Sequence, residues 1–390
     1  MPQAPARPGR ATGARIRVAL VRQRYNPYGG AERFIEHALP ALERAGVEVT
    51  VLARRWQQAA ETAAPRLRRV DPFYIGSWWR ERSFARAVRA LWQREGYDLV
   101  QSHERIAGCD IYRAGDGVHQ RWLALRAQDA GPLERLGIAL SPHHRYLCAE
   151  ERRLFAHPRL RAVVCNSHMV RDEIRRTFAV PEDKLHVIYN GVDLDRFNPR
   201  ERDAQRAEAR ARLGAHDGEL VLAFVGSGFA RKGLDTLLAA AAKAASQPRV
   251  IVVGRDRASP RFAALAATLG IAPQVTFSGG VEDVRPWYAA ADALVLPTRY
   301  DPFPNVVLEA LAMGLPALVS ERCGAAEIVR DHESGYVTAV NDSAALAARI
   351  DLLAASSTRE ALGIGARRAA EPYSFDAMAA KLVALYETLL

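Results

Sequence analysis

Apolar runs and amphipathic stretches alternate along the first 200 residues. Residues 16–21, IRVALV, form a short apolar run that predicts a buried strand. After a loop with two glycines, apolar residues recur at helical spacing over 34–42, and residues 48–53 predict the next strand. Further strands are predicted near Leu99, Val163 and Ile188. Because helical stretches separate these strands, the pattern indicates βαβ units and a parallel sheet.

The same alternation begins afresh in the second half of the chain. A polar, charged segment that starts at Glu201 separates the halves, and the apolar run 220–226 follows it. Four more strands are predicted near Val250, Val275, Ala293 and Pro316. We therefore expect an α/β protein with two Rossmann-like, doubly wound domains over residues 15–200 and 201–373.

Two terminal segments fall outside these domains. Residues 1–14 form a basic leader rich in proline and glycine, for which we expect disorder. Residues 374–390 predict a helix that could pack back on the N-terminal domain. Parallel α/β sheets bind ligands beyond the carboxyl ends of their strands, so two such domains in tandem predict a ligand held in the cleft between them.

Composition narrows the class of protein. With 390 residues, of which 49% are hydrophobic and 25% charged, the chain can form two folded domains and is not disordered throughout. Its four cysteines form no CxxC pair, which argues against a zinc cage or a redox motif and favours reduced thiols in the cytoplasm. No apolar run is long enough for a signal peptide or a membrane span.

The segment YDPFPNVVLEALAMGLPALVS, which starts at Tyr300, is the most informative for chemistry. Pro304 is suited to start a helix with Asn305 and Val306 in its first turn, where free backbone N–H groups bind anions and polarised hydroxyls. Glu309, one turn later, could accept hydrogen bonds from a vicinal diol such as a ribose. The alternative is a solvated carboxylate on an ordinary helix.

Three segments, in order along the chain, resemble one known family. They are FVGSGFARKGLDTLL from Phe224, VTFSGGVEDVRPWYAAADALVLPT from Val275 and YDPFPNVVLEALAMGLP from Tyr300. Together they resemble the donor half of the retaining glycosyltransferases of family 4, and the likeness extends over most of the chain. It implies the GT-B fold, in which two Rossmann-like domains face each other across a cleft, and sugar transfer from a nucleotide sugar without a metal ion.

The resemblance assigns the donor site residue by residue. Arg231 and Lys232 match the basic pair that neutralises the donor diphosphate, and Gly226 belongs to the glycine-containing loop before them. A helix start disfavours cations, so two of them there also favour an anionic ligand. Glu309 matches the second acid of the family's paired-acid motif, which binds the nucleotide ribose. Asp301 takes the place of the first acid, beside the donor sugar.

Two features of this donor loop depart from the family. Asp301 stands where most members have glutamate, and Pro304 stands where many have glycine. Proline removes one backbone N–H donor, so the contacts with the donor sugar are left open. The identity of that sugar is therefore left open too. Asn305 and Val306 are expected to offer their amides to the donor.

The N-terminal half supplies weaker matches. Gly29 and Gly30 match the family's glycine loop, which lets the next helix present amides to the donor, although taken alone they are better explained as a plain turn. Asp116, in YRAGDG, matches an aspartate of the lipopolysaccharide-core glucosyltransferases, which the chain resembles most, and could orient or deprotonate the acceptor hydroxyl. His103 is a second catalytic candidate by position, with a structural role as the alternative, and Glu104 is a weaker one.

Two further observations concern a metal site and a dinucleotide-binding site, and neither site is predicted. Asp193 and Asp195 spell DxD, which holds a divalent metal in a different transferase fold. Their position at the domain junction favours a linker role, so no metal site is predicted. No G-x-G-x-x-G follows the first strand, which removes the main support for a dinucleotide dehydrogenase.

A net charge of +10 favours polyanionic partners. Residues 119–161 mix arginines with apolar side chains and could lie on an anionic inner membrane leaflet, with an ordinary amphipathic helical pair as the alternative. The apolar members include Trp122, Leu123, Leu136, Tyr146 and Phe155. Nucleic-acid binding explains the charge less well, because no recognisable nucleic-acid module accompanies it.

These features predict a retaining hexosyltransferase that needs no cofactor or metal. The predicted reaction moves glucose from UDP-glucose to a lipopolysaccharide core or related glycan, in the cytoplasm or peripherally on the inner face of the plasma membrane. A sugar-nucleotide epimerase or a phosphorylase on the same fold is one alternative, and a binding protein without turnover is another. The nucleotide base, the sugar, the acceptor and the oligomeric state are left open.

Overall fold

The computed structural model describes residues 15–25, 39–40, 42–56 and 66–390. Its strands are β1 (Ile16–Val21), β2 (Arg24–Tyr25), β3 (Val47–Ala53), β4 (Arg55–Trp56), β5 (Arg66–Arg69), β6 (Leu99–Ser102), β7 (Ile111–Ala114), β8 (Ala162–Cys165), β9 (Leu185–Val187), β10 (Val221–Val225), β11 (Arg249–Val253), β12 (Val275–Gly279), β13 (Ala293–Leu296), β14 (Ala317–Ser320) and β15 (Gly335–Thr338).

Helices connect most of these strands. They are α1 (Gly76–Glu95), α2 (His119–Asp129), α3 (Pro132–Leu140), α4 (Pro142–Phe155), α5 (His168–Phe178), α6 (Pro199–Arg212), α7 (Leu234–Lys243), α8 (Ser259–Thr268), α9 (Arg285–Ala290), α10 (Asn305–Ala312), α11 (Ser343–Leu352), α12 (Ser356–Ala370) and α13 (Phe375–Thr388). Residues 39–40 and 42–44 are also helical.

The N-terminal domain is built on a seven-stranded parallel sheet. Its strand order is β5-β3-β1-β6-β7-β8-β9. In β1, Val18 lies opposite Val49 of β3 on one side and opposite Leu99 of β6 on the other. The strand order reverses between β1 and β6, and α/β sheets of this kind open a ligand crevice at such a reversal.

The C-terminal domain repeats this architecture with six parallel strands in the order β12-β11-β10-β13-β14-β15. Every residue of β10 is buried, because helices cover both faces of the sheet, and its sequence is therefore a continuous apolar run. The order reverses between β10 and β13. The predicted fold class, two Rossmann-like doubly wound domains, is confirmed.

The last helix, α13, packs against the first sheet. Its buried residues include Met378, Leu382, Leu385 and Tyr386, which share an apolar cluster with residues of β1 and β3. The chain crosses between the domains twice at neighbouring points, where the Val192 backbone N–H donates to the Tyr373 carbonyl oxygen at 2.9 Å. The segment after residue 200 forms α6, which packs on α9 of the second domain.

Three strands of the two large sheets escaped the sequence analysis. β5 reads RLRR and is exposed throughout, so it has no apolar pattern, and its charges suit a sheet edge. β7 is fully buried but carries Arg113 in its middle, which interrupts the apolar run. β15 is short and starts with Gly335.

Residues 119–161 form α2, α3 and α4, with an inner and an outer surface. Trp122 stacks on Tyr300 with ring centroids 6.2 Å apart, and Phe155 stacks on Phe178 at 4.4 Å, so these two aromatic rings face the protein. The exposed large apolar residues of this segment are Leu133, Leu136 and Leu140 of α3. Within the described ranges, every helix is too short or too polar to cross a bilayer.

Candidate active site

A cleft of about 1040 Å³ lies between the two domains. It opens at the carboxyl ends of both sheets, where residues following β1, β6 and β7 face residues following β10, β11, β12 and β13. Among its described lining residues, arginine and lysine outnumber aspartate and glutamate. The cleft therefore lies where two such domains are expected to bind a ligand, and its charge suits an anion.

Two cations and one carboxylate form the charged centre of the C-terminal wall. Lys232 Nζ lies 2.9 Å from Asp301 Oδ2, and an Arg231 guanidinium nitrogen lies 3.0 Å from the same oxygen. Burial would raise the pKa of Asp301, but the charges of Lys232 and Arg231 outweigh burial and hold that pKa below its ordinary value. Asp301 is therefore ionised at neutral pH and keeps the two cations side by side.

Gly226, directly after β10, makes room for Lys232. Its φ of +131° lies in a region that side chains disfavour, and a Cβ added there would lie 2.7 Å from Lys232 Cε. The aliphatic part of Lys232 thus passes over the glycine, and the ammonium group reaches Asp301. This contact gives the predicted glycine a physical role in placing the cation.

The start of α10 forms another part of the same wall. Pro304 precedes the helix in an extended conformation, and Asn305 and Val306 are its first residues and line the cleft. Glu309 lies one turn further and is buried, with its Oε2 accepting a hydrogen bond from the Tyr288 hydroxyl at 3.1 Å. It is not among the residues that line the cleft. The first turn of α10, by contrast, lies beside the cleft, and helix starts bind anions through their backbone N–H groups.

Asp116 lies on the opposite wall, after β7. About half of its side chain is exposed, and its Oδ2 lies 3.7 Å from a guanidinium nitrogen of Arg22. The same nitrogen lies 3.7 Å from Glu104 Oε1. Burial raises the pKa of Glu104, although Arg22 and the backbone N–H of Gln23 oppose it. Arg22 therefore sits between the two carboxylates, and Asp116 is the more accessible of them.

His103 follows β6 and lines the cleft with only 8% of its surface exposed. Its Nε2 lies 3.0 Å from Gln101 Nε2. Burial lowers the pKa of His103 well below its ordinary value, and the charges of Arg113 and Arg22 lower it further. The ring is therefore neutral at neutral pH.

Tyr300 joins the two walls. It belongs to the C-terminal domain, yet its hydroxyl donates to Glu173 at 2.7 Å and accepts from the Val118 backbone N–H at 3.2 Å. A Cβ added to Gly117, whose φ is +66°, would lie 2.3 Å from this hydroxyl. On the other side, Arg231 donates to the Tyr300 carbonyl at 2.9 Å. Tyr300 thus connects the cation pair to the loop that carries Asp116.

Two further contacts hold the domains together. Glu327 of the C-terminal domain accepts hydrogen bonds from the backbone N–H groups of His168 at 2.8 Å and Met169 at 2.7 Å, at the start of α5. A carboxylate is favoured there because the helix N-terminus carries partial positive charge. Asn190 of the first domain donates to Asn305 Oδ1 at 2.5 Å. The cleft is therefore bordered by direct interdomain bonds.

Most of the predicted site residues come together. The predicted residues that line the cleft are His103, Asp116, Gly226, Arg231, Lys232, Asp301, Asn305 and Val306. Glu309 lies behind them, and its binding of a ribose stays a prediction. Gly29 and Gly30 lie outside the described residues. In the DxD pattern, Asp193 Oδ1 accepts from the backbone N–H groups of Asp195 at 3.1 Å and Arg196 at 2.9 Å, which is a turn contact.

Several cleft residues were missed by the sequence analysis. Arg22 directly follows the first predicted strand, so its position alone could have identified it. Arg113 donates to Asn190 Oδ1 at 2.6 Å and lies in the unpredicted β7. The bond between Tyr300 and Glu173 joins residues 127 positions apart, for which no local pattern exists.

The architecture and the cleft define a class of protein. Two parallel, doubly wound domains with a cation-lined cleft between them form the GT-B fold. In agreement, the crystal structure of WaaG, a glycosyltransferase involved in lipopolysaccharide biosynthesis, superposes with a TM-score of 0.82 at 25% identity, over 95% of this chain and 99% of that one.

Sequence comparisons give the family. Residues 28–196 match the model described as Glycosyltransferase Family 4, and residues 205–369 match that of Glycosyl transferases group 1. A D-inositol 3-phosphate glycosyltransferase of Streptomyces bingchenggensis is 32% identical over 327 residues, which cover 78% of this chain and 70% of that protein. The lipopolysaccharide glucosyltransferase WaaG of Escherichia coli is 28% identical, covering 83% and 85%. The chain belongs to glycosyltransferase family 4.

Proposed function

We propose that this glycosyltransferase transfers a hexosyl unit, with UDP-glucose as the donor, to a hydroxyl of a lipopolysaccharide core or related cell-envelope glycan, and that it retains the anomeric configuration. The observation that carries the proposal is the convergence of Arg231, Lys232 and the first turn of α10 in one interdomain cleft. Such a grouping suits a diphosphate leaving group, since charged donors and helix-start amides both bind phosphate oxygens.

The cation pair has a direct role in this chemistry. Negative charge grows on the diphosphate as the bond to the sugar breaks, and preorganised positive groups stabilise that charge in the transition state. Asp301 keeps Arg231 and Lys232 aligned before the donor binds. As an ionised carboxylate beside the cations, it also suits a hydrogen bond from a hydroxyl of the donor sugar.

In a single-step transfer, retention requires the acceptor to approach the face from which the diphosphate leaves. Asp301 is engaged by two cations, so it is a poor base for the acceptor. Asp116, accessible on the facing wall, is the better candidate to orient or deprotonate the acceptor hydroxyl. We expect the cleft to contribute mainly by bringing the two substrates together in this geometry.

We propose that Arg231 and Lys232 replace the metal ion that other transferases use between the donor phosphates. Two fixed positive charges supply the stabilisation that a divalent cation would otherwise give. Activity should therefore persist in excess EDTA. Loss of turnover with EDTA and its recovery with Mg²⁺ or Mn²⁺ would contradict this part of the proposal.

The acceptor class has a second candidate. Relatives named D-inositol 3-phosphate glycosyltransferase favour a small phosphorylated polyol, whereas the likeness to WaaG favours a lipopolysaccharide core. Purified protein with UDP-glucose should be offered both. The proposal expects transfer to the core glycan, and transfer only to the polyol phosphate would replace that acceptor while keeping the reaction type.

Donor choice and stereochemistry can be tested with the purified protein. UDP-sugars should raise its melting temperature more than GDP- or ADP-sugars do, and the reverse ranking would reject the assigned base. The NMR coupling of the product's anomeric proton should show the α configuration of the donor, and a β product would reject retention. An epimerised sugar nucleotide formed without acceptor would instead favour the epimerase alternative.

We further propose that the enzyme works in the cytoplasm, in peripheral contact with the inner membrane face. The helix α3 has no buried residue and exposes Leu133, Leu136 and Leu140 along one side. Arg135 on the same helix is exposed, and Arg126 on the neighbouring surface is half-buried and pairs with Glu134 at 2.8 Å. Leucines flanked by arginines suit an anionic bilayer, which takes up apolar side chains and attracts positive charge.

Vesicle flotation tests this contact. Wild-type protein should float with vesicles that contain anionic phospholipid and much less with purely zwitterionic ones. Replacing Leu133 and Leu136 by serine should reduce flotation, whereas Leu352→Ser, at an exposed leucine of α11 in the other domain, should not. Equal flotation of both variants would contradict the assigned surface.

A further inference from the structure

A buried carboxylate on α4 caps the start of α2, a helix to which it does not belong. α2 begins at His119, and the residue before it, Val118, offers no side-chain cap. Glu151 of α4 takes that role. Its Oε1 accepts from the His119 backbone N–H at 2.6 Å, and its Oε2 accepts from the Gln120 backbone N–H at 3.1 Å. The negative charge of Glu151 thus meets the positive end of the α2 dipole.

The same carboxylate holds an arginine that lines the cleft. Arg105 Nε donates to Glu151 Oε1 at 2.8 Å, and Arg105 Nη2 donates to the Gly117 carbonyl oxygen at 3.0 Å. Arg105 is also close enough to Asp116 to interact with it electrostatically. Glu151 is only 1% exposed, and a carboxylate is tolerated at such a depth when several donors satisfy it. Glu151 and Arg105 thus act together on one short segment of the acceptor wall.

The side chain of Asp116 depends on this segment for its position. About half of the side chain is exposed, and its 3.7 Å contact with a guanidinium nitrogen is longer than a hydrogen bond. The backbone that follows is held at four successive residues, at the carbonyl of residue 117 and at the N–H groups of residues 118–120. Tyr300 supplies one of these four bonds, and Arg105 and Glu151 supply the other three.

We propose that Glu151 is a positioning residue that, together with Arg105, holds the Asp116 carboxylate in the geometry needed to receive the acceptor hydroxyl. The inference rests on the proposed function, in which Asp116 orients or deprotonates that hydroxyl. Glu151 is not among the described residues that line the cleft, so it acts through the backbone of residues 117–120. A change at Glu151 should therefore slow turnover and leave the donor site on the opposite wall unaltered.

Amide hydrogen exchange of the full-length protein tests the local contacts without any substrate. The amide in Glu151→Gln has one accepting oxygen in place of two, so one backbone N–H at the start of α2 loses its acceptor. We expect the amides of His119 and Gln120 to exchange about tenfold faster, the effect of roughly one hydrogen bond to a charged group. The matched control is Glu150→Gln, at a neighbouring buried glutamate that pairs with the exposed Arg153 at 2.7 Å. Equal exchange in the two variants would overturn the capping role.

A double-mutant cycle separates positioning from a general loss of stability. Glu151→Gln alone should lower kcat by about tenfold and leave UDP affinity unchanged. Combined with Asp116→Asn, it should change kcat by less than about twofold, because the group that it positions has already lost its function. Glu150→Gln should keep kcat near the wild-type value. An equal loss of kcat with and without Asp116→Asn would indicate a merely structural role and overturn the proposal.

Arg105→Lys tests the same contacts without altering the buried carboxylate, so it decides the matter if Glu151→Gln does not fold. Lysine keeps the positive charge but lacks the guanidinium geometry that reaches both Glu151 and the Gly117 carbonyl. We expect kcat to fall by about fivefold, and by less than about twofold in combination with Asp116→Asn. Arg145→Lys, at an exposed arginine of α4, is the control. Equal kcat in the two lysine variants would overturn the role of the pair.

The exchange and activity readouts distinguish a failure of this inference from a failure of the proposed function. Faster exchange at the start of α2 with an unchanged kcat would overturn the positioning role, because the loosened segment would then not affect the reaction. Failure of the wild-type protein to transfer any sugar would reject the proposed function and leave the exchange result standing.

Discussion

The two walls of the cleft are organised in different ways. On the C-terminal wall, Arg231, Lys232 and Asp301 contact one another directly, and each lies in a short segment with a recognisable pattern. On the N-terminal wall, His103 lies beside the amide of Gln101, which accepts a hydrogen bond from Tyr386, a residue near the other end of the chain. The C-terminal wall, which we propose as the donor wall, is thus built from local motifs, and the N-terminal wall, which we propose as the acceptor wall, is built from distant partners.

This difference has a chemical reason. A diphosphate is the constant part of a nucleotide-sugar donor, and adjacent cations beside a helix start bind it with little help from the rest of the fold. An acceptor hydroxyl must lie within a fraction of an ångström of its reactive position, beside a group in the correct protonation state. This requires rigid supporting contacts around the site. We therefore expect substitutions on the donor wall to affect binding and turnover, and those on the acceptor wall mainly turnover.

Lys232→Ala should have the largest effect. It removes a buried ammonium from the position assigned to the leaving diphosphate, so we expect kcat/KM to fall by about 10³-fold, together with weaker binding of UDP. Steady-state kinetics and calorimetric titration with UDP measure both. Lys243→Ala, an exposed lysine of α7 in the same domain, is the matched control. Equal UDP affinity in the two variants would contradict the assigned donor wall.

Asp116→Asn should come next, with a fall in kcat of about 10²-fold and nearly unchanged UDP affinity. The amide keeps the shape of the side chain but cannot take a proton from the acceptor. Asp217→Asn, at an exposed aspartate of the second domain, serves as the control. Full turnover by Asp116→Asn would remove this residue from the mechanism.

Gly226→Ala tests whether the glycine places the Lys232 ammonium. The added methyl group would meet the Lys232 side chain at 2.7 Å and displace its ammonium, so we expect about a tenfold rise in the donor KM. Gly270→Ala is a well-matched control, since Gly270 also has a positive φ but has no atom within 4 Å of the added methyl. Both variants should lose stability through backbone strain. A donor KM that rises equally in both would assign the effect to strain alone.

Tyr300→Phe should have the smallest effect, because it breaks contacts between the walls without removing either. It loses the hydrogen bonds of the hydroxyl to Glu173 and to the Val118 backbone. We therefore expect a three- to tenfold rise in the acceptor KM, which corresponds to roughly 1 kcal/mol of acceptor binding free energy. Tyr336→Phe, at a buried tyrosine of β15 that does not line the cleft, is the control. An unchanged acceptor KM would show that the bridge does not organise the acceptor wall.

The sequence allowed more of the fold to be predicted than of the site. Apolar runs identified most strands of both sheets, because strands covered on both faces must be apolar. β7 escaped because Arg113 lies within it, and a buried arginine is read as a surface residue until its partner Asn190 is known. The proximity of Arg231, Lys232 and Asp301 was predictable because the residues that contact one another also form the recognised motifs.

The acceptor wall was less predictable for the opposite reason. Asp116 and His103 were identified as candidates, but the groups that orient them come from other elements. The bonds from Tyr300 to Glu173 and from Tyr386 to Gln101 join segments 127 and 285 positions apart. Such pairs leave no periodic signal in one sequence, and only the folded chain shows them.

A crystal structure of the protein with UDP bound would locate the diphosphate directly. We expect the β-phosphate within hydrogen-bonding distance of Lys232 Nζ and the Arg231 guanidinium, facing the first amides of α10. A diphosphate bound elsewhere in the cleft, with both cations still paired only to Asp301, would contradict this placement.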